Sequence, residues 1–382
     1  MLFLVALGSV LIQDRISLGD ETVMQGRAMG MPYRIVVASG LPEEQREKVK
    51  AAVLSTFEVA DKTFSLYRAD SEISLWNANV STDWIPVSQP FADLFEHSRK
   101  LSQATKGAFD PTIHPLSKLW RFDQVDSNWV PPTENAVADK LSMIGIHFVH
   151  SRYESAVSLK KDLPTIELDF NALVEGWCLE RIAETMDSIV STNYLVSLGG
   201  EYLGRGKNLH GEPWRVMIES PTESQTTERE KSHATYYVEL TDLCVSTSGT
   251  YRSGHVHQGK WFGHLLNART GYPIPRERLL ASVVAKSAMD ADGWATALLT
   301  IDDKSAINAS EDLQLASLLI TETNQELRHS LSANGHISFR STVHNANSSH
   351  AWKLTAKPWM LGGLCLVAAI LVISIIKVRS RA

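Results

Sequence analysis

Cysteine is scarce in this chain, which has only Cys178, Cys244 and Cys365 among its 382 residues. Their spacing matches neither a zinc-ligand pattern nor a C-x-x-C redox motif, which argues against a thiolate metal centre or a dithiol enzyme. Cys365 lies in an apolar C-terminal stretch, so the rest of the chain has at most one disulfide. Because unpaired cysteine is among the most buried residue types, we expect Cys178 and Cys244 to be buried apolar side chains.

Excess positive charge is also missing. The net charge is −6, and no long basic stretch precedes the last few residues, which argues against a nucleic-acid-binding surface. The chain contains neither a G-x-G-x-x-G dinucleotide fingerprint nor a Walker phosphate loop. Any nucleotide site must therefore be built without these motifs. No internal repeat recurs at a fixed period.

A long uncharged apolar run occurs near the C-terminus, at residues 359–376. As a helix it spans roughly 27 Å, close to the thickness of a bilayer core. Trp359 stands at one end, and Lys377, Arg379 and Arg381 follow the other. These features predict a transmembrane helix with a basic cytoplasmic tail at residues 377–382, and everything N-terminal of it outside the cytoplasm. The alternative is a buried core helix.

Two segments flank the main domain, an apolar one at the N-terminus with two possible interpretations and a polar one before the apolar run. Residues 1–12 are mostly apolar but lack a basic region and an obvious cleavage site. We interpret residues 1–21 as a shortened signal segment; the alternative is a first core strand. The polar residues 343–358 are expected to form a linker, which leaves residues 22–342 as the catalytic domain.

Hydrophobic periodicity predicts helices and strands in mixed order, without strict β-α-β alternation. This order favours an α+β fold over a doubly wound parallel sheet. The helices are expected near residues 42–63, 91–105, 172–192 and 287–299. The strands are expected near residues 25–38, 195–198, 214–218, 236–240 and 315–321.

Four short polar motifs carry the chemistry of the chain: residues 107–112 (GAFDPT), 169–176 (DFNALVEG), 264–271 (HLLNARTG) and 291–297 (ADGWATA). In the last motif Asp292 and Thr296 are four residues apart, so a helix places both on one face. A carboxylate and a hydroxyl are hard oxygen ligands that suit Mg²⁺. The alternatives are ordinary surface polarity, or a threonine hydroxyl bonded to its own helix.

Two further side chains have both a chemical and a structural interpretation. Asp169 precedes a predicted helix and can cap it. The neutral imidazole of His264 is a natural general base near neutral pH, although a lone histidine is usually structural. The loop at residues 107–112 reads as a tight turn.

In their order and separations, the four motifs resemble those of the FAD:protein FMN transferases, the ApbE family, over about residues 29–299. The segment 65–72 (SLYRADSE) and the pair Met29-Gly30 add to this resemblance. It implies a two-lobed α+β flavin-transferase fold and a Mg²⁺-dependent enzyme. Such an enzyme moves FMN from FAD to a Thr or Ser hydroxyl of an acceptor protein and releases AMP.

The resemblance also implies roles for individual residues. Asp292, Thr296 and the backbone carbonyl of Ala172 would bind the metal. His264 and Asp292 would act in catalysis. The residues expected to contact FAD are Met29, Tyr67, Ala108, Phe109, Asp110, Asp169, Glu175 and Leu265. Tyr67 is the expected stacking partner of the flavin ring.

The chain departs from the family pattern at four positions. Glu175 replaces a lysine, Ala295 replaces an acidic residue, and Asn267 and Ala268 replace Asp and Pro. A carboxylate cannot neutralise a diphosphate as lysine does, so Glu175 is expected to act indirectly or through solvent. Two rivals stay open. An FAD pyrophosphatase that gives FMN to water needs the same residues, and a non-catalytic flavin-binding protein is favoured by these departures.

The resemblance completes the expected setting of the protein. Its partners would be FAD and an extracytoplasmic electron-transfer protein that carries the acceptor hydroxyl. The expected location is the cytoplasmic membrane, crossed once by residues 359–376, with the catalytic domain on the extracytoplasmic (periplasmic) side.

Overall fold

A nine-stranded antiparallel sheet runs through the domain. The structure, a computed structural model, describes residues 12–16, 21–124, 126, 128–190, 193–218, 236–251, 253–324 and 326–341. All of them fall within one compact unit, Met1–Thr342. In spatial order the strands are β1 (Ile12–Ile16), β2 (Thr22–Ala28), β3 (Met31–Val37), β7 (Tyr194–Leu198), β8 (Glu201–Arg205), β11 (Leu243–Gly249), β16 (Arg278–Ala285), β17 (Ala316–Thr323) and β18 (Glu326–Leu331).

Four smaller sheets and nine α-helices complete the described part of the chain. The smaller sheets are β4 (Ile85–Pro86) with β6 (Val157–Lys161) and β5 (Val149–Tyr153); β9 (Trp214–Ile218) with β10 (Tyr236–Leu240) and β19 (Phe339–Ser341); β12 (Gly254–His257) with β13 (Lys260–Gly263); and β14 (Leu266–Asn267) with β15 (Tyr272–Pro273). The helices are α1 (Glu43–Phe64), α2 (Glu72–Ala78), α3 (Gln89–Ala104), α4 (His114–Trp120), α5 (Glu134–Leu141), α6 (Asn171–Ile189), α7 (Ala288–Thr300), α8 (Asp303–Asp312) and α9 (Ala333–Ser338).

The large sheet is buried on both faces because its strands alternate between two hydrophobic cores. On β2, Met24 joins the core under α1, α3, α6 and α7. Its neighbour Val23 joins a second core against the sheet β9-β10-β19. Successive side chains of a strand point to opposite faces, so one strand serves both cores. The result is three layers: helices, large sheet, small sheet.

Helices α6 and α7 lie unusually close together, which places the chemical motifs. A side chain at Gly176 would bring its Cβ within 2.5 Å of the Ala288 carbonyl oxygen. The Cβ of a residue larger than glycine at Gly293 would come within 2.6 Å of Leu173. Helix α7 begins where the Ser287 hydroxyl accepts a hydrogen bond from the Asp290 N–H, as expected of an N-cap serine.

Most elements expected from the sequence are confirmed within a few residues. Helices α1, α3, α6 and α7 and strands β7, β9, β10 and β17 fall where periodicity places them. The α+β class is confirmed, since every pairing in the large sheet is antiparallel. The single strand expected at residues 25–38 is wrong. Met29 and Gly30 adopt positive φ angles of 50° and 77°, so the chain turns there and forms the β2–β3 hairpin.

The predictions for the two ends concern residues that the structure largely does not describe. Residues 1–11 and 17–20 of the candidate signal segment, and all of 343–382, lie outside the described residues. Ile12–Ile16 form β1 and pair with β2. None of the described helices is both long enough and apolar enough to cross a membrane.

Candidate functional site

A closed ring of hydrogen bonds joins the four polar motifs, although they are spread over nearly 200 residues of sequence. The Asp169 N–H donates to the Pro111 carbonyl at 2.7 Å, and the Ala268 N–H donates to the Ala108 carbonyl at 2.9 Å. These two bonds connect the loop at residues 107–112 with the second and third motifs.

The remaining two bonds of the ring end on helix α7. The Gly176 N–H donates to Asp292 Oδ2 at 2.9 Å, and Asn267 Nδ2 donates to the Thr300 carbonyl at 2.7 Å. Asn267, one of the departures from the family pattern, also accepts from the Arg269 N–H at 2.9 Å. Its amide therefore ties the third motif to the end of α7.

The bond between Gly176 and Asp292 bears directly on the predicted metal ligands. In a regular helix the Gly176 N–H would donate to the carbonyl four residues earlier, which belongs to Ala172. Here the same N–H also reaches Asp292 Oδ2 of α7. The Ala172 carbonyl, which points along the helix toward this N–H, therefore lies close to the predicted metal ligand Asp292. Helix α7 holds Asp292 almost fully buried, with 3 % of its surface exposed.

Thr296 lies one turn further along α7 and is partly buried. Its hydroxyl is 2.8 Å from the Ser248 hydroxyl of β11. This contact orients the Thr296 oxygen toward the sheet and does not use the helix backbone. Asp292 and Thr296 thus share one face of α7, as the sequence predicts.

Three carboxylates meet where α6, α7 and the β7–β8 turn converge. We call Glu175, Glu201 and Asp292 the acidic cluster; one oxygen of each lies within 4.8 Å of the others. Glu201 begins β8 directly after the turn formed by Gly199 and Gly200, both with positive φ. Hard oxygen donors gathered in this way suit Mg²⁺ or Ca²⁺.

Burial and mutual repulsion shift the protonation equilibria of this cluster. Burial raises the pKa of Glu175 to about 7. Burial, with the neighbouring Glu201 and Glu175 carboxylates, raises the pKa of Asp292 well above its usual range, against the lowering effect of the Gly176 N–H. The same carboxylates and burial raise the pKa of the adjacent Cys178 thiol. A bound cation would relieve this repulsion.

Asp169 stands at the start of α6 and contributes to its first turn. Its Oδ1 accepts a hydrogen bond from the Asn171 N–H at 2.9 Å. The N-cap position is Phe170, which makes no side-chain cap hydrogen bond, so Asp169 supports the helix from one position before the N-cap, not as the predicted N-cap. Its Oδ2 lies 3.9 Å from His114 Nδ1. Burial raises the pKa of Asp169, whereas His114 lowers it.

Tyr67 and Met29, two predicted cofactor contacts, lie in accessible positions. The Tyr67 ring is 74 % exposed. Partial desolvation, together with the carboxylates of Asp123 and Asp169, raises its pKa. Met29 occupies the β2–β3 turn and packs against the edge of the helical core. An exposed ring beside Asp169 is a suitable platform for a flavin.

The loop at residues 107–112 is fixed mainly by its own side chains. The Asp110 carboxylate accepts hydrogen bonds from the N–H groups of Thr112 and Ile146, both at 2.9 Å. It also accepts from the Thr112 hydroxyl at 2.7 Å. Ala108 and Phe109 are buried in the helical core. These contacts show how the loop is held, and a role of these three residues in binding FAD stays a prediction.

His264 and Leu265 begin the third motif, directly after β13. His264 Nδ1 lies 3.1 Å from the Ser253 carbonyl, which also accepts the His264 N–H at 3.0 Å. A carbonyl only accepts, so Nδ1 carries the hydrogen and Nε2 is the basic nitrogen. Leu265 packs against the core, and its carbonyl accepts from the Ile274 N–H at 2.9 Å.

Two residues of this site were not assigned a chemical role from the sequence. These residues are Glu201 and Ser246. Both enter the site through the pairing of β8 with β11. Strand register is a long-range property, so the local sequence alone has no signal for it.

Comparisons with known proteins agree with this geometry. The family model described as "ApbE family" matches residues 29–319. The FAD:protein FMN transferase of Haemophilus influenzae is 30 % identical over 304 residues, which is 79 % of this chain and 86 % of that protein. The enzyme of the same name from Vibrio cholerae is 30 % identical over 323 residues, 84 % of this chain and 94 % of that protein.

Solved structures show the same fold. The flavin transferase ApbE from Vibrio cholerae superposes with a TM-score of 0.72 at 28 % identity, covering 83 % of this chain and 99 % of that one. The flavinyl transferase ApbE from Pseudomonas stutzeri, in its apo form, gives 0.73 at 25 % identity, covering 87 % and 98 %. With the match to the family model over most of its length, the chain belongs to the ApbE family.

Proposed function

We propose that this protein transfers the FMN part of FAD to a Thr or Ser hydroxyl of an acceptor protein. The observation that carries the proposal is the ring of hydrogen bonds that brings all four polar motifs to one place. Asp292 is one of the acceptors in this ring. The relatives named FAD:protein FMN transferase at about 30 % identity support the same reaction.

In this reaction the acceptor oxygen forms a bond to the FMN phosphorus as the bond from that phosphorus to the AMP oxygen breaks. The hydroxyl loses its proton, and AMP leaves. His264 Nε2 is the basic nitrogen of the third motif, so we assign it to receive the proton. Phosphoryl transfer depends mainly on positioning and charge stabilisation.

The residues present fit a divalent cation at Asp292. Its buried carboxylate has a raised pKa beside two other acidic groups, and it accepts the Gly176 N–H at the start of α6, where Ala172 also lies. Asp292, Thr296 and the Ala172 carbonyl are the proposed ligands. When bound, Mg²⁺ would offset the negative charge of the pyrophosphate.

We assign the flavin end of the substrate to the side of the α6 N-terminus that faces away from Asp292. The exposed Tyr67 ring offers an apolar face for stacking, and Asp169, fixed by Asn171, lies beside it. Met29, in the β2–β3 turn, is the third residue that we assign to the flavin. Under this assignment the pyrophosphate lies between Tyr67 and Asp292, along the first turns of α6.

We further propose that residues 359–376 hold the protein in the cytoplasmic membrane, with the catalytic domain and its acceptor on the extracytoplasmic side. The support is the uncharged 18-residue run that begins with Trp359 and is followed by basic residues. An electron-transfer protein on that side is the proposed acceptor.

The test separates transfer from hydrolysis by the need for an acceptor. The full chain in detergent is mixed with FAD and MgCl₂, with or without an acceptor protein that carries a flavinylation threonine. AMP and free FMN are then quantified by chromatography. A transferase releases AMP only when the acceptor is present and leaves no free FMN. Equal AMP and free FMN without acceptor would show a pyrophosphatase, and FAD binding without AMP a non-catalytic protein.

A further inference from the structure

Glu175 stands at a position where the sequence resemblance leads us to expect a lysine in contact with the cofactor. In the structure its side chain turns toward the β7–β8 turn. A Cβ on Gly199, whose φ is +63°, would lie 3.8 Å from Glu175 Cγ and 2.9 Å from Met31 Sδ. The glycine thus lets the turn approach Glu175 closely, and the same turn delivers Glu201 at its end.

A buried hydroxyl on the neighbouring strand faces the same point. The register of β8 and β11 pairs Cys244 with Leu203 and Val245 with Tyr202, so Ser246 comes next, beside Glu201. Paired residues of an antiparallel ladder present their side chains on the same face. Ser246 and Glu201 therefore share a face of the sheet.

That face is the one covered by α7. Two residues before Ser246, Cys244 Sγ donates to the Lys286 carbonyl just before α7. Two residues after it, the Ser248 hydroxyl meets Thr296. Ser246 lies between them, level with the turn of α7 that carries Asp292.

The Ser246 hydroxyl has no hydrogen-bond partner among the described residues, and only 1 % of the residue is exposed. Leaving a buried hydroxyl unsatisfied costs about 1–3 kcal/mol. An oxygen in this position, next to three carboxylates that repel one another, points to a bound cation.

We propose that the acidic cluster, closed by the Ser246 hydroxyl, binds a divalent cation with Glu175 and Glu201 as direct ligands. Asp292 is shared with the cation site of the proposed function, so the inference rests on that site. It adds Glu175 and Glu201 to the ligands expected from the sequence, which are Asp292, Thr296 and the Ala172 carbonyl. The cation would supply positive charge next to the substrate site. Glu175 cannot supply this charge, whereas the lysine expected at its position could.

The chemistry of the cluster selects a hard cation. All its donors are oxygens, and the nearby Cys178 is buried with a raised pKa, which disfavours a thiolate ligand. Two oxygens on opposite sides of Ca²⁺ lie about 4.6–5.2 Å apart, and on Mg²⁺ about 4.0–4.2 Å. The carboxylate oxygens, all within 4.8 Å of one another, are therefore close enough for a single hard cation of this kind to contact all three.

The test measures cation binding directly, without FAD or acceptor, so a failure of cation binding is distinguished from a failure of FMN transfer. Mn²⁺ is titrated into the full chain in detergent and the free ion is followed by electron paramagnetic resonance. The variants are Glu175→Gln, Glu201→Gln and Ser246→Ala. The matched control is Glu184→Gln, an exposed carboxylate on the same helix paired with Arg181.

We expect Glu175→Gln and Glu201→Gln each to remove one bound Mn²⁺ or to weaken its affinity at least about tenfold, since even outer-shell changes cost that much. Ser246→Ala should weaken it less, and Glu184→Gln should match the wild type. All three site variants keep the shape of the residue, and circular dichroism checks their folding. If both glutamine variants bound Mn²⁺ with the affinity and stoichiometry of the wild type, the proposal would be overturned. The carboxylates would then be held together by shared protons and not by a cation.

Discussion

At Asp292 one carboxylate joins two helices and also stands at the proposed metal site. Its Oδ2 accepts the Gly176 N–H, and the rest of the group faces Glu201 and Glu175. Burying a charge in this way is costly unless it is paired. A buried carboxylate at Asp292 is therefore better explained by a role in metal binding than by a contribution to the stability of the fold.

Replacing Asp292 with Asn should keep the fold and remove most of the activity. The amide has nearly the same shape and relieves the carboxylate repulsion, but it loses the charge that binds a cation. We expect AMP release to fall about 100-fold or more, which corresponds to about 3 kcal/mol of transition-state stabilisation.

The matched control for this variant is Asp290→Asn, which makes the same change at a half-exposed residue two positions earlier, where the carboxylate pairs with His97. Its rate should stay within about threefold of the wild type, because exposed ion pairs contribute little. An equal loss of AMP release in both variants would show that the effect of Asp292→Asn does not come from the loss of a metal ligand.

Gly176 tests the close approach of α6 and α7. In Gly176→Ala the added methyl would lie 2.5 Å from the Ala288 carbonyl oxygen, so the helices must separate. We expect a loss of about 1–3 kcal/mol in the free energy of unfolding, measured by urea denaturation. Ser188→Ala, an exposed change on the same helix, should cost much less. A Gly176→Ala protein as stable as the wild type would contradict the packing described here.

At the scale of secondary-structure elements, the packing of α6, α7 and β8 brings three acidic residues together. The effect of this arrangement on the free energy of unfolding depends on pH. The pKa of Glu175 is raised to about 7 in the folded protein from 4.5, so the folded state holds its proton more strongly than the unfolded state. This favourable contribution is present below about pH 4.5 and is lost as the pH rises toward 7.

In EDTA, stability should therefore fall between about pH 4.5 and 7, by up to about 3 kcal/mol from Glu175 alone. Thermal unfolding across this range measures it. Glu175→Gln should flatten the dependence, and a divalent cation should raise the melting temperature most at pH 7 and above. Stability that increases steadily through this range without metal would contradict the raised pKa of Glu175.

The sequence predicts helices α6 and α7 well because their burial leaves a periodic pattern, and the pair Asp292 and Thr296 follows from helix geometry alone. It also places Asp169 at the start of α6, one position before the N-cap. It misses the β2–β3 hairpin, because its turn consists of Met29 and Gly30 and lacks the usual turn residues Asn, Asp or Pro. Glu201 and Ser246 become neighbours only through strand register, which depends on the whole sheet.

At the scale of the whole molecule, the large antiparallel sheet is covered on one face by helices and on the other by β9, β10 and β19. The chemical motifs collect on the helical side, where α6 and α7 pack on the sheet. The small sheet covers the opposite face and contributes none of the four motifs. Changes in that sheet should therefore affect stability more than catalysis.

The proposed anchor is a property of the whole chain and is tested by removing it. A variant that ends at residue 358 should move from the membrane pellet to the soluble fraction. Its domain should still release AMP from FAD in the presence of acceptor, because all four motifs precede residue 300. A shortened protein that stays in the membrane pellet would contradict anchoring by residues 359–376.

The mass of the acceptor protein after reaction tests the central claim most directly. The full chain in detergent is incubated with FAD, a divalent cation and an acceptor with a flavinylation threonine, and intact-protein mass spectrometry follows. We predict that the acceptor gains one covalently bound FMN, that EDTA prevents the gain, and that replacing the acceptor threonine with alanine abolishes it. An acceptor of unchanged mass, while FAD is converted to AMP and free FMN, would contradict the assignment as a transferase.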